Sequence, residues 1–457
     1  VREEPEDRGS WRGLGLASLL SGAAVGALAA AFRASLEVAN RARDAFLADA
    51  RLEYAGWVAA VAAGAAAAAV AAWLVRRFAP EATGSGIPHV EAVMHGDVPP
   101  ASDRVLPVKF AGGVLSIGAG LALGREGPTV QMGAIAGRRI GFWLGLGHGD
   151  LRVMLACGAG AGLAAAFNAP VAGAAFVLEE LLQRFEIRSA AASLGASGVA
   201  IAVSRALLGN RFDYAVEPLA DAPFASLPLF VALGLAAGLA GALYNRAIVG
   251  ALALSERFAR WPVELRAAGI GAAVGLLGCV EPRLVGGGDP ITQATLAGVL
   301  ALPVVALWFG VRFGLGALSY AAATPGGLFA PLLVLGAQLG FLAAAASRLL
   351  APSIAPPSAA FGLVGMASLF AAVVRAPLTG IVLVTEMTGC ASLLMPMSLA
   401  AFAAIAVPSA LGNPPIYDEL RERMLLALRA RRAPARRSTP GEGERRAGGR
   451  RGDTGRG

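Results

Sequence analysis

Glu126 lies in the segment GREGP, residues 124–128, between Gly124 and Pro128 of a stretch, LALGREGPTVQMGA, that is otherwise poor in charge. An ionised carboxylate at a helix start competes for backbone amides that have no partner within the helix, and a protonated one releases them. One side chain would then serve as both gate and proton carrier; a permanent salt bridge to Arg125 is the alternative. Two more breaks share the pattern, TGSGIP at 83–88 and GGLFAP at 326–331. In each, glycine frees the backbone to turn and proline suits a first helical turn. A helix that begins at lipid depth presents amide hydrogens that attract anions. Three such starts converging would make an anion site without a full positive charge, from which the anion can also leave.

Ser85 supplies a hydroxyl within the first break, as a helix cap or as an anion ligand. Phe329 contributes packing, and the preceding Gly327 leaves its amide accessible. Tyr417 follows the uncharged turn NPPI, where a phenol is either an interfacial anchor or a donor reaching into a pore. Glu179 and Glu180 end the charge-free run 153–178; adjacent helical residues point about 100° apart, so their roles can differ. One can face the interior and exchange protons, and Arg184 is the ordinary i,i+4 partner for Glu180. Lys109, the only lysine, either stabilises an anion path from a distance or pairs with a glutamate at a helix edge. His89 and His95 flank Glu91 six residues apart, a poor spacing for one helical face, and no zinc site is expected. Cys157, Cys279 and Cys390 sit in apolar surroundings and read as small buried hydrophobes. Arg375 and Glu386 share a helical face only if Pro377 does not interrupt it.

These residues need elements to hold them. Of 457 residues, 56% are hydrophobic and 15% are charged, where a soluble domain has about 25% charged. The chain therefore reads as an all-α polytopic membrane protein. Apolar dominance, glycines without a three-residue period and only three cysteines exclude a disordered chain, a collagen and a disulfide scaffold. The net charge of +8 falls in short hydrophilic gaps and at the tail, as in inside-facing loops, so no nucleic-acid groove is expected. The first apolar run, Leu14 to Phe32, lacks a small-residue cleavage pattern and reads as a retained helix. Charge-free stretches at 55–75, 153–178, 290–311, 313–347, 349–374 and 387–417 mark lipid-depth segments. Several exceed one crossing and are broken by Gly and Pro, which predicts discontinuous helices around a transport path. Residues 121–134 and 321–340 share a glycine-rich break, a proline and an apolar helical stretch, the mark of an inverted repeat. The organisation expected is an N-terminal segment at 1–11, a transport domain at 12–411, a surface helix at 412–432 whose leucine stripe lies on the membrane domain or lipid, and a disordered basic tail at 433–457.

The ordered motifs GSGIP, RVLPVKF, GREGPTVQMG, AAFNAP, the Glu179–Glu180 pair, GGLFAP and the late Tyr417 resemble the CLC family of chloride channels and proton-coupled chloride transporters, over about residues 12–425. The resemblance implies a CLC-like inverted repeat with discontinuous helices and a homodimer with one pathway per subunit. It assigns Ser85 and Tyr417 to the sides of the central anion, the amides of Gly327, Leu328 and Phe329 to its coordination, Glu126 to the external gate and Glu180 to internal proton transfer, with Lys109 and Glu179 supporting. Both glutamates together imply chloride–proton antiport, with a passive channel as the alternative; the function is not enzymatic and needs no cofactor beyond the transported ions. Ser85 implies a chloride-type filter. His89 departs from the acidic residue that prokaryotic relatives often carry. The tail is too short for CBS nucleotide-binding domains, and the expected location is a bacterial plasma membrane with both termini cytoplasmic.

Overall fold

Apolar runs and their punctuation resolve into helices of two kinds, long ones that reach across a bilayer and short ones that stop inside it. The computed structural model describes residues 10–210 and 212–432. The proposed tail at 433–457 and residues 1–9 of the N-terminal segment lie outside the described residues. The first half contains α1 (Trp11–Ala50), α2 (Tyr54–Phe78), α3 (Ile87–His95), α4 (Val105–Gly118), α5 (Glu126–Trp143), α6 (His148–Phe167), α7 (Pro170–Phe176) and α8 (Ile187–Leu208). The second contains α9 (Leu227–Arg257), α10 (Val263–Val280), α11 (Asp289–Leu296), α12 (Leu302–Tyr320), α13 (Phe329–Leu350), α14 (Ser358–Val374), α15 (Pro377–Thr388), α16 (Leu394–Ala410) and α17 (Ile416–Arg432). Among the described residues, eight helices are long and apolar enough to cross a membrane.

The breaks fall where glycine and proline place them. α3, α5 and α13 start within GSGIP, GREGP and GGLFAP, as expected. The charge-free run 290–311 is not a single lipid-depth segment: it holds α11 and the start of α12, separated at Gly298, whose φ of +69° ends a helix. Pro377 does interrupt the chain between Arg375 and Glu386. Arg375 closes α14 in the left-handed region, φ +72°, and α15 begins at the proline.

Small residues let the helices approach. A Cβ added to Gly158 of α6 would overlap the carbonyl of Gly133 on α5, so these backbones touch. Large apolar side chains such as Leu19, Leu239, Leu307 and Phe402 are instead exposed on the outside, as an oily solvent requires.

The two halves repeat one design in opposite orientation, and several residues pair in role. Gly84 and Gly86 adopt φ +62° and +83° ahead of α3; Gly286 and Gly288 adopt +78° and +97° ahead of α11. The Lys109 ammonium donates to the carbonyls of Ala82 (2.9 Å) and Gly84 (2.7 Å). The Arg312 guanidinium does the same for Leu284 (3.1 Å) and Gly286 (2.7 Å), and adds Gly287 (2.8 Å). Gly124 and Gly327, equivalent positions of the GREGP and GGLFAP breaks, exchange two backbone hydrogen bonds of 2.8 and 2.7 Å. Finally, the Glu179 carboxylate accepts from the amides of Leu378 (3.0 Å) and Thr379 (2.7 Å) at the start of α15, and Glu386 accepts from Val171 (3.1 Å) and Ala172 (2.8 Å) at the start of α7. Helices that cap one another's first turns in this way must run antiparallel, which fixes a two-fold axis between the halves.

Arg312 is almost fully buried and its charge is held by three carbonyls. Arg312→Met strands those carbonyls, and we expect a loss of about 3 kcal/mol or more. Unfolding of the detergent-solubilised protein measures it; a variant melting with its parent would show that the loop at 284–287 finds other donors.

Candidate functional site

Three helix starts meet because their preceding loops are stitched together by backbone hydrogen bonds. Gly84 donates to Thr324 (3.1 Å), Gly326 donates to Gly84 (3.0 Å), and the Gly124–Gly327 pair closes the set. The starts of α3, α5 and α13 are therefore held at one buried junction, as the sequence predicts.

Glu126 occupies it. Its carboxylate Oε1 accepts from the amide of Phe329 at 2.6 Å and of Ala330 at 3.2 Å, the exposed donors of α13. Its Oε2 is buried and has no partner among the described residues. The geometry is that of an anion held by a helix N-terminus, with a side chain in the role of the anion. The alternative salt bridge to Arg125 does not form. Arg125 turns away to the carbonyl of Ala166 (2.9 Å), Asp213 (3.4 Å) and Asp289 (3.8 Å), and Asp213 is also bound to Arg33 at 2.9 Å.

Ser85 is buried beside Gly127: a Cβ on Gly127 would meet the Ser85 backbone at 2.8 Å. Its Oγ accepts from the amide of Ile87 (3.3 Å), a helix cap, and its own amide donates to the Tyr320 hydroxyl at 3.5 Å. Tyr417 is fully buried; its hydroxyl has no partner among the described residues, and its ring lies 5.9 Å from that of Phe329. Phe329 is also flanked by Phe167, Phe176 and Phe370, with centroids 4.6 to 6.4 Å away. Its amide thus stands in dry, apolar surroundings, where an electrostatic contact is stronger than in water. Gly327 departs from the expectation that it offers an amide to an anion: its N–H is committed to the carbonyl of Gly124. Ala330 contributes one in its place.

Lys109 bonds carbonyls and no glutamate, so the pairing at a helix edge is corrected: it braces the loop that carries Ser85. Glu179 takes the start of α15, including the Thr379 hydroxyl at 2.8 Å, and not a basic residue. Arg184 is not the partner of Glu180 either. The helix containing Glu180 ends in a widened turn, Val177–Leu181, closed by an amide of Leu182 on the carbonyl of Val177, so the i,i+4 relation is lost. Glu180 is buried, its neighbours in charge being Glu91, Asp418, Glu179 and Arg421. Spacing drew attention to Glu91 only as a residue between two histidines; a lone carboxylate in a short apolar helix was the signal for it. Tyr320 and Arg312 were likewise missed, Tyr320 because its partner Ser85 lies a half-chain away; Glu386 stood out as a charge but not as the cap of α7, 214 residues distant. Among the described residues no three His, Cys, Asp or Glu side chains are grouped to hold a metal, and the three cysteines are buried.

Known proteins share this fold. The profile of the family described as voltage gated chloride channel matches residues 64–409. The chain is 38% identical over 379 residues to the H(+)/Cl(-) exchange transporter ClcA of Salmonella paratyphi A, which spans 82% of this chain and 80% of that protein; the Salmonella arizonae protein of the same name matches to the same extent. The crystal structure of a slow cyanobacterial Cl−/H+ antiporter superposes with a TM-score of 0.86 at 33% identity, covering 91% of this chain and 98% of the other. A eukaryotic CLC transporter shares the fold at 23% identity, with a TM-score of 0.75.

A Cβ on Gly124 would overlap both carboxylate oxygens of Glu126, the movable end of a side chain. Gly124→Ala is therefore expected to expel the carboxylate from the amides of α13 and tighten halide binding by up to about tenfold, the worth of the hydrogen bonds it vacates. Calorimetric halide titration tests this, and unchanged affinity would show that the carboxylate does not compete.

Proposed function

The chain belongs to the CLC family of voltage-gated chloride channels, and on that premise we propose that it is a secondary active antiporter exchanging chloride for protons. The observation that carries this reading is the Glu126 carboxylate on the amides of Phe329 and Ala330. Those donors can serve the side chain or a chloride ion, not both. Protonation removes the charge that holds the carboxylate there, so the side chain leaves and chloride takes the amides. Ser85, Tyr417 and the amides of Leu328, Phe329 and Ala330 are the chloride ligands; Lys109 and Glu179 hold the loops and helices that bear them. Glu126 is the external gate. Glu180, on the widened turn packed against α3, is the internal proton-transfer group, and its burial among other carboxyl groups supports that role. Chloride and protons then cross in opposite directions, and either gradient drives the other. No bond but O–H is made or broken, so the protein is a transporter and not an enzyme.

The transport unit occupies residues 12–411, and α17, which starts at Ile416 and not at 412, adds the buried Tyr417 to it. α7, α8, α15 and α16 expose Val171, Leu194, Leu378 and Phe402, an apolar face that supports a homodimer with a separate path in each subunit. The setting is a bacterial plasma membrane, with both termini cytoplasmic.

Purified protein in sealed liposomes loaded with chloride, with external pH and chloride recorded together and an uncoupler as control, tests the exchange. Proton uptake driven by chloride exit supports it, whereas chloride efflux without coupled proton movement returns the reading to a passive channel. Two variants assign the residues. Because acid frees the amides, chloride flux in the parent rises as external pH falls; Glu126→Gln is expected to abolish that dependence and proton coupling together. Glu180→Gln should keep chloride flux and lose proton flux by roughly a hundredfold, the scale of a positioned acid–base group. A Glu180→Gln protein with the parent's coupling would remove Glu180 from the proton path.

A further inference from the structure

Glu91 is a buried carboxyl group that the cycle above does not use. It lies on α3, six residues after Ser85, is 2% exposed, and among the described residues its carboxylate meets no N–H or hydroxyl donor, its side-chain partner being the carboxyl group of Glu180. α3 packs against α5, the widened turn that carries Glu180, and α17. The charged groups facing Glu91 from those elements are Glu180, Asp418 and Arg421; the hydroxyls of Tyr320 and Tyr417 complete the neighbourhood.

The charges around this pair do not balance. Arg421 is the one cation among those neighbours, and it is already bound to Asp418 at 3.1 Å and lies 3.1 Å from Nδ1 of His95 at the surface. Glu179 is committed to the first turn of α15. Glu91 and Glu180 thus face one another with only a shared and committed counter-charge. Two carboxylates in one buried site cannot both ionise cheaply, and a proton retained between them removes the conflict.

The other half of the fold shows what this position does when its role is structural. The equivalent of Glu91 on α11 is Gln293, whose amide oxygen accepts from the N–H of Ala215 (2.9 Å) and whose amide nitrogen donates to the carbonyl of Ala215 (2.8 Å). That side chain is fully satisfied by a loop. Glu91 carries an ionisable group in the same place, without such a donor, and set against the residue assigned to proton transfer.

We infer that Glu91 is the second carboxyl group of the internal proton station, Glu91 and Glu180 holding one proton between them at rest. A proton from the inner solution neutralises the pair, and release of one proton toward Tyr417 and Glu126 restores the single negative charge, so the doubly ionised state is bypassed. Only O–H bonds form and break. Glu91 touches the transferred proton, whereas Asp418 and Arg421 position the pair.

This inference rests on the antiport reading. In the liposome assay, Glu91→Gln is expected to lower the ratio of proton to chloride movement by roughly tenfold or more, and Glu91→Asp to restore part of it. On a Glu180→Gln background, Glu91→Gln should add no further loss, as for residues that act as a unit. A Glu91→Gln protein with the parent's ratio overturns the inference and leaves Glu91 as a neutral packing group. Should Glu91→Gln fail to assemble, infrared difference spectra of the intact protein across pH decide. A shared proton gives a carboxylic-acid band that Glu180→Gln displaces, and a band indifferent to Glu180→Gln overturns the pairing. If the parent moves chloride without protons, the antiport reading fails by itself, and the infrared result still reports on the pair.

Discussion

Backbone amides at the first turn of α13 have no intrahelical partner and sit in apolar surroundings where water is scarce. Everything at the centre of the molecule follows from the need to satisfy them. Left unpaired in a dry interior, each would cost a substantial fraction of the fold's stability. The solution adopted is an anion, supplied by Glu126. Because the donors are amides and not a buried cation, they bind with a few kcal/mol rather than permanently, so one occupant can replace another. A lysine or arginine at that point would hold the carboxylate in a fixed ion pair. The only buried lysine is instead turned onto carbonyls, 2.7 and 2.9 Å away, and strengthens the scaffold.

The two-fold relation between halves explains how such a site is built, and its violations explain why the site has a direction. Symmetry brings the starts of α5 and α13 together through the paired bonds of Gly124 and Gly327. At the next equivalent positions the sequence differs: Glu126 on one side, Phe329 on the other. The first supplies a carboxylate and the second an amide that it binds, so a symmetric pair of helix starts becomes acceptor and donor, the asymmetry on which the proposed gate rests. A second violation follows the glycines ahead of α3 and α11. Ile87 begins α3, but Asp289 begins α11, where it accepts from the Tyr214 hydroxyl (3.0 Å) and pairs with Arg125. A fixed acid thus stands where the other half carries a buried apolar side chain two residues after Ser85.

The long helices, the discontinuous ones and the three convergent starts were legible because their signals are local: apolar length, and glycine with proline at a break. Glu126 stood out for the same reason, a charge where none is expected. Partnerships were not legible. Arg125 was placed beside Glu126 and Arg184 beside Glu180 by spacing, yet Arg125 reaches Asp213 and the helix bearing Glu180 ends before Arg184. The repeat was sensed in residues 121–134 and 321–340, but its clearest members, Glu179 with Glu386 and Lys109 with Arg312, have little in common as sequence. They are equivalent in what they bond, and that appears only when the chain is folded.

Glu126 and Glu180 meet one electrostatic problem by opposite means. At the Glu126 end a carboxylate is stabilised by amides, and in the proposed cycle an incoming anion needs the same donors, so that its arrival and the carboxylate's departure are one event. At the Glu180 end carboxyl groups are gathered without matching cations, which favours retaining protons. Between them the unpartnered hydroxyl of Tyr417 is an electrostatic neighbour of Glu126, Glu180 and Glu91 alike, while the rings around Phe329 supply no titratable group. In the proposed exchange, coupling needs no large movement of helices: what is exchanged is the occupant of a few donors, and the charge of a side chain decides which occupant they hold.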